Sequence, residues 1–324
     1  MSRTLRPLRP LLAVVIALVA FSASAPATAA ATGPRYPTVD LGDRGTDVRA
    51  LQGLLTARGY PVAADGVFGP TTRDAVVAWE TATGQLADGI VDDAAWQKLV
   101  IWLGPGATGP AVLAAQRELR AKRHLAVVAN GVWGASTTAA VKAFQRHAGT
   151  GATGTMNSGT WRRLIAHFKL PSFNKTSLCD YSVGNGPANW ATASAISALE
   201  AAARMFATSG RGRVAVGDIG LEHGGKIAGH DTHRRGLDVD IRLIRKAGDQ
   251  CARGVNYRSR TYDRAGTRAL IEAIRSTAPW HIKVIYFNDP VLIREGLTTH
   301  FTGHDDHLHV RYCEPRYPVA MYRC

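Results

Sequence analysis

The string DGVFGPTTRDAVVAW, Asp65 to Trp79, returns as NGVWGASTTAAVKAF, Asn130 to Phe144. Gly66 and Gly131, Phe68 and Trp133, Gly69 and Gly134, Val76 and Val141, and Trp79 and Phe144 are each 65 residues apart. Trp96 and Trp161 keep that offset, while Gln52 and Gln116 are 64 apart, so one residue is inserted between them. A period held by aromatics, glycines and a valine means that one unit of about 60–70 residues occurs twice.

Each copy reads as helical. Val48, Leu51 and Leu55 share a face behind a possible Thr46 cap, and Gly59 stops the helix. Asp65-Gly66 makes a turn, and Thr71 or Thr72 can cap a second helix carrying Ala75, Val76 and Trp79. A third short helix carries Trp96 and Leu99. Three small helices around a few aromatics, with no clustered acid, base or metal ligand, make a binding or spacer module. This pattern, with its Leu51-Gln52 pair, resembles the peptidoglycan-binding-type three-helix domain. The second copy departs by Asn130 in place of Asp65 and by an Ala115-Gln116 pair. The resemblance implies wall binding by two modules, over residues 36–103 and 104–169.

The chain opens with a basic segment holding Arg3, Arg6 and Arg9, an apolar run from Leu11 to about Ala23, and small residues ending in Ala27-Thr28-Ala29. That is the build of a secretory leader over residues 1–29, too short for a membrane span. Its removal takes three arginines and lowers the formal charge from +14 to +11. A basic surface favours anionic partners. Export argues against nucleic acid and for wall polymers or anionic membrane surfaces, and the expected location is extracellular or wall-associated. Cys179, Cys251, Cys313 and Cys324 are an even set with no C-x-x-C pair, which favours two disulfides over a zinc-thiolate site. The short separation of Cys313 and Cys324 permits a local loop, leaving Cys179–Cys251.

Eight of the eleven histidines fall between His223 and His309. In GHDTHRRGLDVDIRL, Gly229 to Leu243, residues Leu237, Val239 and Ile241 alternate with Asp238 and Asp240. That is a half-buried strand with two carboxylates on its polar face, and His233 stands just before it. In GHDDHLHVRY, Gly303 to Tyr312, a strand from His307 would put His307 and His309 on one face and Leu308 and Val310 in the core. Two imidazoles and one carboxylate converging from two strands make a three-ligand zinc site with an open position, the pattern of catalytic rather than structural zinc.

The motif H-x-x-G-x-x-x-D followed by H-x-H resembles the zinc peptidase superfamily of D-alanyl-D-alanine peptidases and murein endopeptidases. The two full strings are most similar to its penicillin-insensitive murein endopeptidase branch. The resemblance implies one zinc ion per chain, with His233, Asp240 and His309 as ligands and His307 as catalytic base. It also implies that His230 and His304 are active-site histidines. Asp238 matches as well, and strand periodicity does not choose between it and Asp240. Arg234, Arg235 and Arg311 are candidates for a substrate carboxylate or for simple solvation. The expected architecture is two small all-α modules, a linker over residues 170–188, and an α+β zinc peptidase domain over residues 189–324 with a small antiparallel sheet. The expected reaction is hydrolysis of peptide cross-links in peptidoglycan. The rivals are a D-alanyl-D-alanine carboxypeptidase and a wall-binding protein that does not cleave.

Overall fold

Each repeat is organised by its glutamine. In the first, Gln52 Oε1 accepts from Gly66 N at 2.8 Å, and its Nε2 donates to Asp65 Oδ1, Val67 O and Thr72 Oγ1. In the second, Gln116 repeats this with Gly131 N, Val132 O and Thr137 Oγ1. One buried side chain thus satisfies a turn that the helices leave open. Gly66 has φ of 79°, and a β-carbon there would meet Gly45 O at 2.9 Å. Only glycine fits that turn without strain.

The computed structural model describes residues 34–173, 177–182 and 188–324, so the leader expected over residues 1–29 lies outside them. The first copy comprises α1 (Thr46–Ala57), α2 (Pro70–Ala82) and α3 (Asp93–Leu99), the second α4 (Pro110–Arg123), α5 (Ala135–His147) and α6 (Ser158–Ile165). Two expected caps are corrected. Gly45, not Thr46, precedes α1, and the Thr46 hydroxyl donates instead to Glu118 Oε1 of the other repeat at 3.0 Å. Gly69 precedes α2 with Pro70 in its first turn, where the missing N–H costs nothing. Asp92 and Asn157 do cap α3 and α6. The two copies share one core, in which α1 packs on α4 and Trp79, Trp96, Phe144 and Trp161 are buried together.

Residues 177–182 and 188–324 form a second core around a five-stranded sheet, flanked by α7 (Ala193–Ala207) and α8 (Arg264–Thr277). The strands are β1 (Leu178–Asp180), β2 (Val214–Val216), β3 (Asp238–Arg242), β4 (Ile282–Tyr286) and β5 (His307–Tyr312), in the order β1-β2-β3-β5-β4. The sheet is mixed rather than antiparallel throughout, because β1 lies parallel to β2. The stretch read as a linker supplies this edge strand, which Cys179 ties to Cys251. The other disulfide joins Cys313 to Cys324, so the pairing is the one the spacing favoured.

Alternation in β3 and β5 sends Val239, Ile241, Leu308 and Val310 into the core, each fully buried. Burying one such side chain is worth about 1.5–3 kcal/mol. The opposite face is left with Asp238, Asp240, His307, His309 and Arg311. Antiparallel register sets Asp240 across from His309, Asp238 across from Arg311, and Arg242 across from His307. Directly opposed residues share a face. Thus the register that buries the apolar set also gathers the polar one.

Between the repeats, Lys122 is fully buried and reaches Asp47 Oδ1 at 2.5 Å, Glu118 Oε2 at 3.5 Å and Ile165 O at 2.5 Å. Removing the cation leaves two buried carboxylates uncompensated. Lys122→Met should therefore destabilise the protein by about 3–5 kcal/mol, read as a lower denaturant midpoint. An unchanged midpoint would contradict the role given to this cluster.

Candidate metal centre

His233 lies in the loop before β3 with φ of 62°, a left-handed conformation uncommon for a residue bearing a β-carbon. Two bonds hold it there. Its backbone N–H donates to Asp238 Oδ2 at 3.1 Å, and its ring Nδ1 contacts Ile219 O at 3.1 Å. With Nδ1–H so engaged, Nε2 is left as a lone-pair donor. Across the sheet, His309 Nε2 meets Asp238 Oδ1 at 2.9 Å, which leaves Nδ1 facing the same point.

Three atoms converge there. His309 Nδ1 is 3.0 Å from Asp240 Oδ1, His233 Nε2 is 3.2 Å from His309 Nδ1, and His233 Nε2 is 3.3 Å from Asp240 Oδ1. Tetrahedral zinc with bonds of about 2.0–2.1 Å separates its ligands by roughly 3.3–3.4 Å. The residues present fit such an ion. The outer contacts fit too, since metal-binding histidines usually donate their other N–H to a carboxylate or carbonyl. The structure therefore brings Asp240 into the triangle and puts Asp238 behind it, a choice that strand periodicity left open.

His230 stands on the open side, with Nε2 at 3.1 Å from Asp218 Oδ2 and Nδ1 at 4.0 Å from Asp240 Oδ2. The ligand atoms of His230, His233 and Asp240 also lie within 4.8 Å of one another, but the triangle with His309 is tighter. His307 Nδ1 meets Asp306 Oδ1 at 2.8 Å, and its Nε2 is 3.9 Å from Asp240 Oδ1. An Nδ1–H given to Asp306 leaves Nε2 free to accept a proton beside the triangle. The His304 ring lies 4.8 Å from that of His307. Burial, reinforced by the charge of His307, lowers the His304 pKa. All six expected histidine and aspartate positions are thus brought together.

Arg311 is corrected. It is buried, and its Nε donates to Asp238 Oδ1 at 2.7 Å, so it is not free for a substrate carboxylate. Asp218, Asp306 and Tyr322, whose hydroxyl donates to Asp238 Oδ2 at 2.6 Å, were not singled out from the sequence. Asp306 sat inside the histidine string and offered a signal. Asp218 and Tyr322 offered none, because only the fold brings them near.

Two further groups of donors occur among the described residues. In His147, His167 and Glu222, the Arg123 guanidinium already pairs with the carboxylate oxygen that both imidazoles face. In Asp40, Asp43 and His281, His281 Nε2 faces Asp40 Oδ1 at 3.3 Å. Burial, then the charge of Asp43, pushes the Asp40 pKa up to about 7.

Residues 44–99 and 108–164 match the family described as a putative peptidoglycan binding domain. Residues 185–275 match the penicillin-insensitive murein endopeptidase family. That match holds His230, His233 and Asp240 and ends before β5, so His307 and His309 join the site through strand pairing and His304 from the loop before β5. A solved structure of a peptidoglycan-binding protein from Clostridioides difficile, in complex with glutamine hydroxamate, is 42% identical over 19% of this chain and 39% of that one, with a TM-score of 0.19. This chain therefore spans well under half of that protein's length. No curated protein matches.

Burial opposes a charged imidazole at His309, but the hydrogen bonds and charges of Asp238 and Asp240 outweigh it and raise its pKa from 6.5 to about 9. Burial likewise opposes the charge of Asp240, yet the bonds from His233 and His309 hold its carboxyl well below the usual range. The raised His309 value stabilises the metal-stripped fold in full below about pH 6.5, and that contribution is lost as pH rises through about 9. An NMR titration of metal-stripped protein should leave the His309 ring signal flat up to about pH 8. A titration midpoint near 6.5 would contradict the pairing.

Proposed function

We propose that this chain, which carries two putative peptidoglycan-binding domains followed by a penicillin-insensitive murein endopeptidase domain, is an exported zinc peptidase that hydrolyses peptide cross-links of peptidoglycan. The family matches support a murein-degrading peptidase; zinc, export and the cross-link are the added parts. One observation carries the reading: His233 Nε2, Asp240 Oδ1 and His309 Nδ1 lie 3.0–3.3 Å apart with both rings oriented from behind. His233, Asp240 and His309 would hold the ion. When bound, zinc lowers the pKa of a water to about 7 and polarises a carbonyl oxygen.

The chain's own groups supply the proton movements. His307 Nε2 accepts a proton from the attacking water and returns it to the leaving amine, with Asp306 holding the ring in the accepting tautomer. His230, braced by Asp218, and His304, packed on His307, line the space where the scissile amide would lie. No serine or cysteine nucleophile takes part, so β-lactams, which acylate serine, have nothing to trap. The helical repeats concentrate the enzyme on its polymer without altering its chemistry.

Cross-linked muropeptide dimers should be converted to monomers, with a chelator stopping the reaction, zinc restoring it and penicillin without effect. His309→Ala should lose the metal. His307→Ala should keep it while kcat falls about 10²–10⁴-fold. Mass analysis of the products decides the bond. If dimers persist while pentapeptide stems lose one terminal alanine, the carboxypeptidase reading replaces this one, and full zinc in His309→Ala would remove the ligand assignment.

A further inference from the structure

The segment that follows β5 reaches the candidate metal centre. β5 ends at Tyr312, and the next residue, Cys313, is bonded to Cys324. The closed loop folds back on itself, with Glu314 N donating to Tyr322 O at 2.9 Å, and finishes in a short 3-10 turn, Ala320–Tyr322. Tyr322 is 3% exposed. Its ring packs against Tyr317 and lies beside the Arg311 guanidinium. Its hydroxyl donates to Asp238 Oδ2 at 2.6 Å, from a position 84 residues away in sequence.

Asp238 is fully buried and touches both histidines of the triangle. Its Oδ1 accepts from His309 Nε2 and Arg311 Nε, and its Oδ2 from Tyr322 Oη and the His233 backbone N–H. Burial, then the negative charge of Asp238, pushes the Tyr322 phenol up, so it stays protonated and remains a donor. Asp238 and Arg311 sit opposite one another on paired strands, so their contact follows from register. The Tyr322 contact follows from no strand. It exists because residues 313–324 fold back over the sheet and are tied at Cys313.

We propose that Tyr322, held in place by the Cys313–Cys324 disulfide, is a positioning residue for the metal centre. Its hydroxyl fixes the Asp238 carboxylate, and Asp238 in turn fixes the His309 ring with Nδ1 toward His233 and Asp240. This rests on the reading of that triangle as a metal site. Two effects of losing the hydroxyl oppose each other. A less solvated Asp238 would make His309 a stronger donor, while a carboxylate free to rotate would release the ring. Outer-shell changes of this kind typically weaken metal binding about 10–100-fold, so the loss of orientation dominates.

The test uses the full chain and zinc itself, with affinity read by competition against a chromophoric chelator and geometry by the absorption bands of the cobalt-substituted protein. Tyr322→Phe keeps the ring and removes the hydroxyl; it should weaken zinc about tenfold and shift the cobalt bands. Tyr317→Phe, which alters the same aromatic pair without touching Asp238, should leave both unchanged. Opening the loop with Cys313→Ser and Cys324→Ser should reproduce the Tyr322→Phe loss. Adding Tyr322→Phe to it should cost nothing more, because both act through one contact. If wild type binds no zinc, the underlying reading of the site fails. If wild type binds zinc and Tyr322→Phe matches it in affinity and spectrum, or if the two losses add, this inference alone is overturned.

Discussion

The antiparallel pairing of β3 with β5 is the constraint on which the rest depends. Alternation means that a one-residue slip would turn every side chain to the other face. Val239, Ile241, Leu308 and Val310 cannot leave the core without losing several kcal/mol together. Their burial therefore locks Asp240 opposite His309 and Asp238 opposite Arg311. A hydrophobic demand thus fixes which polar residues face one another, which no local preference of histidine or aspartate could do. His233 completes the triangle from a loop, and its unfavourable φ is held by bonds to Asp238 and Ile219.

The repeats are not loosely strung before the C-terminal sheet region. They share one core and meet the C-terminal part through specific polar contacts. Thr38 N donates to Glu314 Oε2 at 3.0 Å, Arg316 pairs with Asp88 and Asp92, and Glu222 takes Arg123 and two histidines. Burial pushes the Glu314 pKa up to about 8, so this junction holds a carboxyl that is reluctant to ionise. Glu222 lies on the loop that continues to His230 and His233, so the second helical repeat touches the segment that delivers a proposed ligand.

Features set by local periodicity were legible in the sequence. The duplication, the helices, the strand from His307 to Tyr312 and the histidine-rich strings could all be read from spacing. Features set by long-range pairing were not. Thr46 reads as a cap, yet its hydroxyl goes to Glu118, because Gly45 already turns the chain and the second repeat offers a buried acceptor. Arg311 reads as a surface cation, yet it is spent on Asp238 across the strand pair. Residues 178–180 sit among prolines, serines and glycines and read as linker, yet pairing with β2 and the Cys179 bridge make them an edge strand. Asp238 and Asp240 are indistinguishable by period. The donors gathered on Asp238 from Tyr322, Arg311, His309 and the His233 backbone make it a support and leave Asp240 facing the triangle.

The central claim is that one metal ion is held by His233, Asp240 and His309. Anomalous diffraction at the zinc edge, on crystals of the zinc-loaded full chain, tests it most directly. The account predicts a single strong peak bonded to His233 Nε2, Asp240 Oδ1 and His309 Nδ1. A principal peak at His147, His167 and Glu222, or at Asp40, Asp43 and His281, or no peak in the triangle, would contradict it.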